Sequence, residues 1–167
     1  IHLEVSSGPD RFDTTISEHH HIKCSICGKI CDVYLPELSK IEERINRYYA
    51  DKNAKILVID GARQIGKSFI IRETGKRFFK HFIEINLKND WEGNRFFENI
   101  RTIEDFYLQV SALYGNDLGN VSNTMIFLDE IQSYPHLLTM LKPLKADARY
   151  RYICSGSLLG IALQHTF

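Results

Sequence analysis

The chain has 167 residues, of which 44% are apolar and 25% are charged, and its 21 basic and 21 acidic side chains give a formal net charge of zero. These values are typical of a globular protein, and they exclude both a strongly basic nucleic-acid-binding chain and an acidic disordered one. No apolar run approaches the roughly 18 residues of a membrane-spanning helix, and four unevenly spaced cysteines suit a reducing cytoplasm better than a disulfide framework.

The first 33 residues predict short strands and turns. The segments IHLEV (1–5) and RFDTTI (11–16) are strand-like, and SSGPD forms the turn between them. The segment HIKCSICGKICDV then predicts a strand, a CxxCG knuckle and a returning strand. Because the chain starts at Ile1 without an initiator methionine, we expect it to be a piece of a longer protein.

The knuckle contains Cys24 and Cys27, and two thiolates at this spacing can share one zinc ion. A structural zinc takes four ligands, so two positions remain to be filled by histidine, by Cys31, by water or by a second copy of the chain. Thiolate and imidazole ligands favour zinc over magnesium or calcium. We therefore expect Zn²⁺ to bind this incomplete site loosely or through dimerisation.

A run of three histidines, His19 to His21, precedes the knuckle, and a solvated loop or an accidental tag-like run is the alternative to metal ligation. His19 and His21 alternate along a strand and so face the same side, where Asp13 and Asp32 could join them around a second, harder ion. The segment RFDTTISEHHHIKCSICGKICDVYLPEL resembles the dimerisation domain of the ferric-uptake and peroxide-sensing regulators (the Fur/PerR family), with a match in spacing over residues 1–38. The resemblance implies that these four residues are regulatory-metal ligands and that the knuckle is half of a Cys₄ zinc site. The family's second CxxC and its winged-helix domain have no counterpart here, so DNA is expected as a partner only through a domain outside this chain.

The pattern then changes to helices and alternating strands. Apolar residues recur at helical spacing through LPELSKIEERINRYY (35–49), and Pro36 is well placed to open that helix. Strands alternating with helices favour a parallel sheet built from βαβ units. The predicted strands are 55–60, 81–87, 124–129 and 149–155, and the predicted helices are 67–80, 102–115 and 136–145. Three aromatic pairs are expected in the core: Tyr48 and Tyr49, Phe78 and Phe79, and Phe96 and Phe97.

The segment GARQIGKS has the P-loop pattern, with an apolar strand before it and a helical pattern after it. Its glycines permit backbone turns that let consecutive N–H groups surround phosphate oxygens, and the following helix points its positive end at the same anion. Lys67 supplies a charge for the β and γ phosphates, and the Ser68 hydroxyl ligates Mg²⁺. The predicted nucleotide-binding residues are Gly61, Ala62, Arg63, Gln64, Ile65, Gly66, Lys67 and Ser68.

Two later strands end in polar residues. The apolar run MIFLDEIQ delivers Asp129 at the end of a strand, where it can contact magnesium, and Glu130 is placed to orient or deprotonate an attacking water. The run RYRYICSGS ends in small polar residues, and Ser155 or Ser157 could reach the γ-phosphate or that water; an ordinary Ser-Gly-Ser turn is the alternative.

The motifs GARQIGKS, FLDEIQ, LKPLKAD and ICSGSLL occur in the order of a known family. Together they resemble the prokaryotic AAA-type ATPases with a GARQVGKT-like loop and an LDEIQ-like second motif, over roughly residues 40–167. Members of that family continue into a fifth strand, an arginine finger or second sensor, and a C-terminal domain. The resemblance implies phosphate and magnesium ligands at Lys67, Ser68 and Asp129, a catalytic base at Glu130 and a sensor near Ser155.

The sequence thus predicts an α/β protein with a P-loop NTPase three-layer sandwich, truncated at its C-terminus, and a small β-rich zinc-knuckle fragment before it. The expected division is a Fur/PerR-like dimerisation fragment (1–36), a helix and linker (37–54) and an AAA-type core (55–167). The expected function is binding of ATP and Mg²⁺, with ATP hydrolysis if the core is completed, and a homo-oligomer is an expected partner state. The alternative function is that of a metal-dependent transcription regulator of which this chain is a fragment.

Overall fold

The computed structural model describes residues 2–3, 11–12, 20–23, 30–33, 36–61, 66–115 and 117–157. The chain divides into two compact units, residues 1–40 and residues 41–167. In the described part of the chain, no helix is long and apolar enough to cross a membrane.

The described residues of the first unit form two short antiparallel strand pairs. Strand β1 (His2–Leu3) pairs with β2 (Arg11–Phe12), and β3 (His20–Lys23) pairs with β4 (Ile30–Val33). β1, β2 and β4 lie within the segments for which strands were predicted, and β3 begins one residue before its predicted segment.

Helix α1 spans Pro36–Ala50, close to its predicted bounds. Apolar side chains one helical turn apart form its inner face, where Ile41, Ile45, Tyr48 and Tyr49 are buried. The Tyr48 hydroxyl lies within hydrogen-bonding distance of two main-chain oxygens, those of Lys55 (3.1 Å) and Tyr152 (3.0 Å), and can donate its one hydrogen to either. Residues 41–50 of α1 belong to the second unit, and burial and hydrogen bonds hold them against its sheet.

The second unit is built on a parallel sheet with helical connections. Its described strands run in the order β5-β8-β7-β6, and every pairing is parallel, as the alternating pattern predicted. The strands are β5 (Ile56–Asp60), β6 (His81–Asn86), β7 (Thr124–Asp129) and β8 (Arg151–Gly156). The helices are α2 (Lys67–Phe78), α3 (Leu87–Glu92), α4 (Ile103–Tyr114) and α5 (Pro135–Asp147), with 3₁₀ turns at Val121–Asn123 and Ile131–Ser133.

The core lies between the sheet and its helices. All six residues of β7 are buried, as expected for a parallel strand flanked by strands and covered on its faces. A capping box at Thr102 and Asp105 fixes the start of α4, and proline opens α5. Side chains from β6, β7, β8, α4 and α5 meet in one cluster, which includes Ile83, Ile85, Phe106, Ile126, Leu141 and Tyr152.

The prediction that Phe78 and Phe96 lie in the core is wrong. Phe78 is 56% exposed and Phe96 is 43% exposed, whereas Phe79 and Phe97, their neighbours, are buried. The backbone becomes extended at Phe79, directly after α2 ends at Phe78. Successive side chains then point in different directions, so the ring of Phe79 enters the core and that of Phe78 remains at the surface.

Candidate functional site

The candidate site lies at the carboxyl edge of the parallel sheet. Because all described strands run the same way, their last residues meet along one edge, which is the usual ligand-binding edge of such sheets. Asp60 ends β5, Asn86 ends β6, Asp129 ends β7 and Gly156 ends β8. Segments far apart in the sequence thereby contribute polar groups to one place.

The glycine loop leads from β5 into α2. Gly66 precedes the helix with φ 88° and ψ 9°, a left-handed conformation that strains any residue with a Cβ atom. Lys67 is buried, and its Nζ atom donates to the main-chain oxygen of Gly61 at 2.8 Å, so the side chain folds back across the base of the loop. The four predicted residues between the glycines (Ala62, Arg63, Gln64 and Ile65) lie outside the described residues.

Side chains from three other elements lie within hydrogen-bonding distance of Asp129, which is only 5% exposed. Ser68 Oγ, from the first turn of α2, lies 3.0 Å from Oδ1 and 3.1 Å from Oδ2 of this carboxylate. The buried Ser155 hydroxyl donates to Oδ1, and Asn86 Nδ2 lies 3.5 Å from Oδ2. A carboxylate beside a hydroxyl is the hard oxygen set that Mg²⁺ prefers, so these residues fit a magnesium ion that would bind through Ser68 and Asp129.

Glu130 turns away from its neighbour Asp129. Its φ of 56° and ψ of 46° are left-handed values that are uncommon for a residue other than glycine, and they break the alternation of the strand. The carboxylate of Glu130 accepts a hydrogen bond from Nε2 of Gln132. The same amide lies 3.3 Å from Ser157 Oγ, and its oxygen accepts from the Ser157 N–H at 3.3 Å. The two adjacent acids thus enter separate hydrogen-bond networks.

Sequence reasoning missed Asn86 and Gln132. Both carried a signal: Asn86 ends the strand HFIEIN at the same sheet edge, and Gln132 directly follows the apolar residue after the two acids. Asn86 lies outside the quoted motifs, and Gln132 is the last residue of FLDEIQ but was assigned no role there. The distinction between Ser155 and Ser157 was also open in the sequence, and the structure assigns Ser155 to the Asp129 network and Ser157 to the Glu130 network.

An ion pair borders the site on the side of α2. Arg72 donates to Glu84 in a bidentate arrangement, with Nε to Oε2 at 2.7 Å and a terminal nitrogen to Oε1 at 2.6 Å. Hydrogen bonding to Glu84 and the nearby charges of Glu84 and Asp129 raise the pKa of Arg72. The pair ties α2 to β6, and a permanent positive charge lies near the buried carboxylate of Asp129.

Cys154 is fully enclosed in β8, and burial raises the pKa of its thiol. A buried neutral thiol behaves as a small apolar core group rather than as a metal ligand or nucleophile.

The predicted metal residues of the first unit are described only in part. The register of β3 and β4 places His21 directly opposite Asp32. The other predicted ligands (Asp13, His19, Cys24 and Cys27) lie outside the described residues. Within the ranges that are described, no group of three or more His, Cys, Asp or Glu residues is arranged to hold a metal ion.

Comparison with known families assigns the two parts of the chain separately. The model of the AAA domain family matches residues 53–166, and the chain belongs to this family. The model of the ferric uptake regulator family matches residues 1–59, so the two matches overlap over residues 53–59. Both resemblances predicted from the sequence are confirmed. The AAA match also agrees with the parallel α/β sheet described above.

Two curated relatives match the N-terminal part. The peroxide-responsive repressor PerR of Staphylococcus saprophyticus subsp. saprophyticus is 37% identical over 41 residues, which are 25% of this chain and 28% of the relative. PerR of Staphylococcus epidermidis is 39% identical over 41 residues, which are 25% of this chain and 27% of the relative. The chain therefore spans little more than a quarter of the length of these relatives.

Proposed function

We propose that the AAA domain of this chain binds ATP with Mg²⁺ at the carboxyl edge of the sheet and that the site is built for ATP hydrolysis. The observation that carries the proposal is the position of Ser68 Oγ, 3.0 and 3.1 Å from the two oxygens of the buried Asp129. A hydroxyl at the start of a helix and a carboxylate at the end of a strand are the paired oxygen ligands of a nucleotide-bound magnesium. Gly66 and Lys67 directly precede Ser68 in the chain.

Each residue of the site has a proposed task. Lys67 exchanges its contact with the Gly61 oxygen for the β and γ phosphates, and Ser68 and Asp129 hold the metal. Mg²⁺, when bound, neutralises charge on the transferred phosphoryl group. Glu130 accepts a proton from the attacking water or orients it, and Ser155 acts as the sensor by holding Asp129. The nucleotide-binding set also includes Gly61, Ala62, Arg63, Gln64, Ile65 and Gly66.

Calorimetry with a non-hydrolysable ATP analogue tests the binding part of this proposal. We expect binding that requires Mg²⁺ and is lost in Lys67→Ala, because the helix N-terminus alone does not replace the buried ammonium charge. Lys76→Ala is the matched control, since Lys76 is an exposed lysine in the last turn of the same helix. A folded wild-type chain that does not bind the analogue, or equal binding by both variants, would refute the proposal.

The hydrolytic part is tested with Glu130→Gln. This change keeps the size of the side chain but removes the basic oxygen, so we expect unchanged affinity for the ATP analogue and a loss of turnover of about 10²- to 10⁴-fold. Turnover is measured as release of inorganic phosphate from ATP. Turnover by the variant equal to that of the wild type would exclude Glu130 as the base.

A second proposed function concerns the first unit, and it is favoured by the ferric uptake regulator match over residues 1–59. We propose that this unit binds metal, with Zn²⁺ at Cys24 and Cys27 in an incomplete site. The proposed ligands of a second, regulatory metal are Asp13, His19, His21 and Asp32, of which His21 and Asp32 are opposite in the strand register. The proposed boundaries of the parts are 1–36 for this fragment, 37–54 for helix and linker, and 55–167 for the AAA core.

Competition for zinc against a chromophoric chelator tests the knuckle. We expect weak binding by the wild type that rises with protein concentration if a second copy supplies ligands, and no binding by Cys24→Ser/Cys27→Ser. Cys154→Ser is the matched control, because this cysteine is buried in β8. Equal zinc affinity in the wild type and the double variant would contradict the proposed site.

A further inference from the structure

Gln132 makes three polar contacts with two residues of the candidate site. Its Nε2 donates to Oε2 of Glu130 and also lies 3.3 Å from Oγ of Ser157. Its Oε1 accepts from the main-chain N–H of Ser157 at 3.3 Å. One amide group therefore joins the acid that follows β7 to the residue that follows β8.

The turn that carries Gln132 does not depend on these contacts. The 3₁₀ turn has its own main-chain hydrogen bonds, from Ser133 N to Glu130 O (3.0 Å) and from Tyr134 N to Ile131 O (3.1 Å). Ile131 and Tyr134 are both buried, and they anchor the turn in the core. The half-buried side chain of Gln132 therefore adds nothing that the turn needs in order to form. The contacts of the Gln132 side chain instead restrict the orientation of the Glu130 carboxylate.

We propose that Gln132 is the positioning residue for Glu130 and that it couples the carboxylate to the end of β8 through Ser157. This inference rests on the proposed function, because a positioned base matters only at a nucleotide site. The hydrogen bond from Gln132 occupies Oε2 of Glu130, which assigns Oε1 as the oxygen that accepts a proton from water. An isolated carboxylate on a left-handed residue would otherwise sample several rotamers and lose that orientation.

The arrangement also links both acids to one strand. Ser155 is the next-to-last residue of β8, and Ser157 directly follows the strand, so both serines lie near the carboxyl end of β8. Ser155 donates to Asp129, and Ser157 contacts the amide that holds Glu130. A shift of the end of β8 when a γ-phosphate binds would therefore reach the metal-binding acid and the base together, and Gln132 carries the second of these links.

The test uses the whole chain and three variants. Gln132→Ala removes the amide, and Gln132→Glu keeps its size but replaces the donor with a second carboxylate beside Glu130. Gln109→Ala, on α4, is the matched control. Three quantities are measured: the affinity for an ATP analogue, the kcat and KM of ATP hydrolysis, and the hydrogen-exchange rate of the Ser157 amide by NMR without nucleotide.

We expect both Gln132 variants to bind the analogue like the wild type, with kcat lowered about 10- to 100-fold and KM unchanged, since a partner that orients a functional group has effects of this size. We also expect the Ser157 amide to exchange about five to ten times faster in Gln132→Ala, which is the effect of losing one hydrogen bond of ordinary strength. Gln109→Ala should change none of the three.

Several results would overturn the inference. An unchanged exchange rate at Ser157 would show that the amide does not hold this residue, and an unchanged kcat would show that it does not position the base. Analogue binding that falls together with kcat would assign Gln132 to the nucleotide contacts instead. A wild type that binds the analogue but does not hydrolyse ATP would contradict the role of Glu130 as the base, and with it the positioning role of Gln132. A wild type that binds no analogue refutes the proposed function, and it is distinguished from the other outcomes by the calorimetry alone.

Discussion

Arg151 fixes the end of α1 to the sheet, and its removal provides a quantitative test of how the second unit is held together. The guanidinium group donates to the main-chain oxygens of Tyr48, Tyr49 (3.3 Å) and Asp51 (3.1 Å). It also stacks on the ring of Tyr48, with its central carbon 4.4 Å from the ring centre. The last carbonyl groups of a helix have no partners within it and carry its negative dipole end, so a cation is favourable there.

The stabilisation that Arg151 contributes can be worked out from these contacts. A hydrogen bond to a charged group contributes about 1.5–3 kcal/mol, but the three bonds share one side chain and Arg151 Nε is buried without a partner. We therefore take about 3 kcal/mol for the hydrogen bonds and the cation–π contact together. Arg151→Lys keeps the charge but loses the planar fork, so about half of that stabilisation should be lost.

We expect Arg151→Ala to lower the free energy of unfolding by about 3 kcal/mol and the melting temperature by about 6–12 °C. Urea denaturation followed by circular dichroism measures the first, and a thermal scan measures the second. Arg47→Ala is the control, because the Arg47 side chain is 75% exposed and paired with Glu43 one turn earlier; its cost should stay below about 0.5 kcal/mol. A loss in Arg151→Ala no larger than that of the control would refute the reasoning.

Two further predictions concern the core and its tyrosines. Phe106 is fully buried, so Phe106→Ala should lower the free energy of unfolding in urea by about 3–5 kcal/mol. Leu108, on the same helix, is 73% exposed, so Leu108→Ala should lower it by less than about 0.5 kcal/mol. Equal losses in the two variants would contradict the packing. Burial raises the pKa of Tyr49 and of Tyr107 to about 12. The folded state therefore binds the phenolic protons more tightly than the unfolded state does. The resulting stabilisation is complete below about pH 10 and is lost as the pH rises toward 12. For each tyrosine, the free energy of unfolding should fall by up to about 1.4 kcal/mol per pH unit. Urea midpoints between about pH 9 and pH 12 measure this, with tyrosinate absorbance as a second probe, and a flat profile would contradict it.

The local pattern of the sequence determined most of the elements of the second unit. Strand β7 was predicted over 124–129 and has these bounds, because a short apolar run between polar residues leaves few other choices. Helix α5 extends from Pro135, since proline opens a helix readily. Helix α3 was missed: it has six residues, too few for a periodic signal, and it depends on the Asn86 side chain, which accepts from the N–H of Asn89.

Within the candidate site, the sequence determined which residues carry charge and hydroxyl groups, and the tertiary structure decided which of them meet. Motif spacing selected Lys67 and Asp129 because a phosphate loop and an acid at a strand end are local features. Strand order placed β8 between β5 and β7, and this order brings Ser155 to Asp129 and Ser157 to Gln132. Periodicity depends on neighbours a few positions away in the chain, so a short stretch of sequence contains it. Strand order and the partners of each carboxylate are fixed by the burial of apolar surface between distant segments, and no short stretch of sequence contains that information.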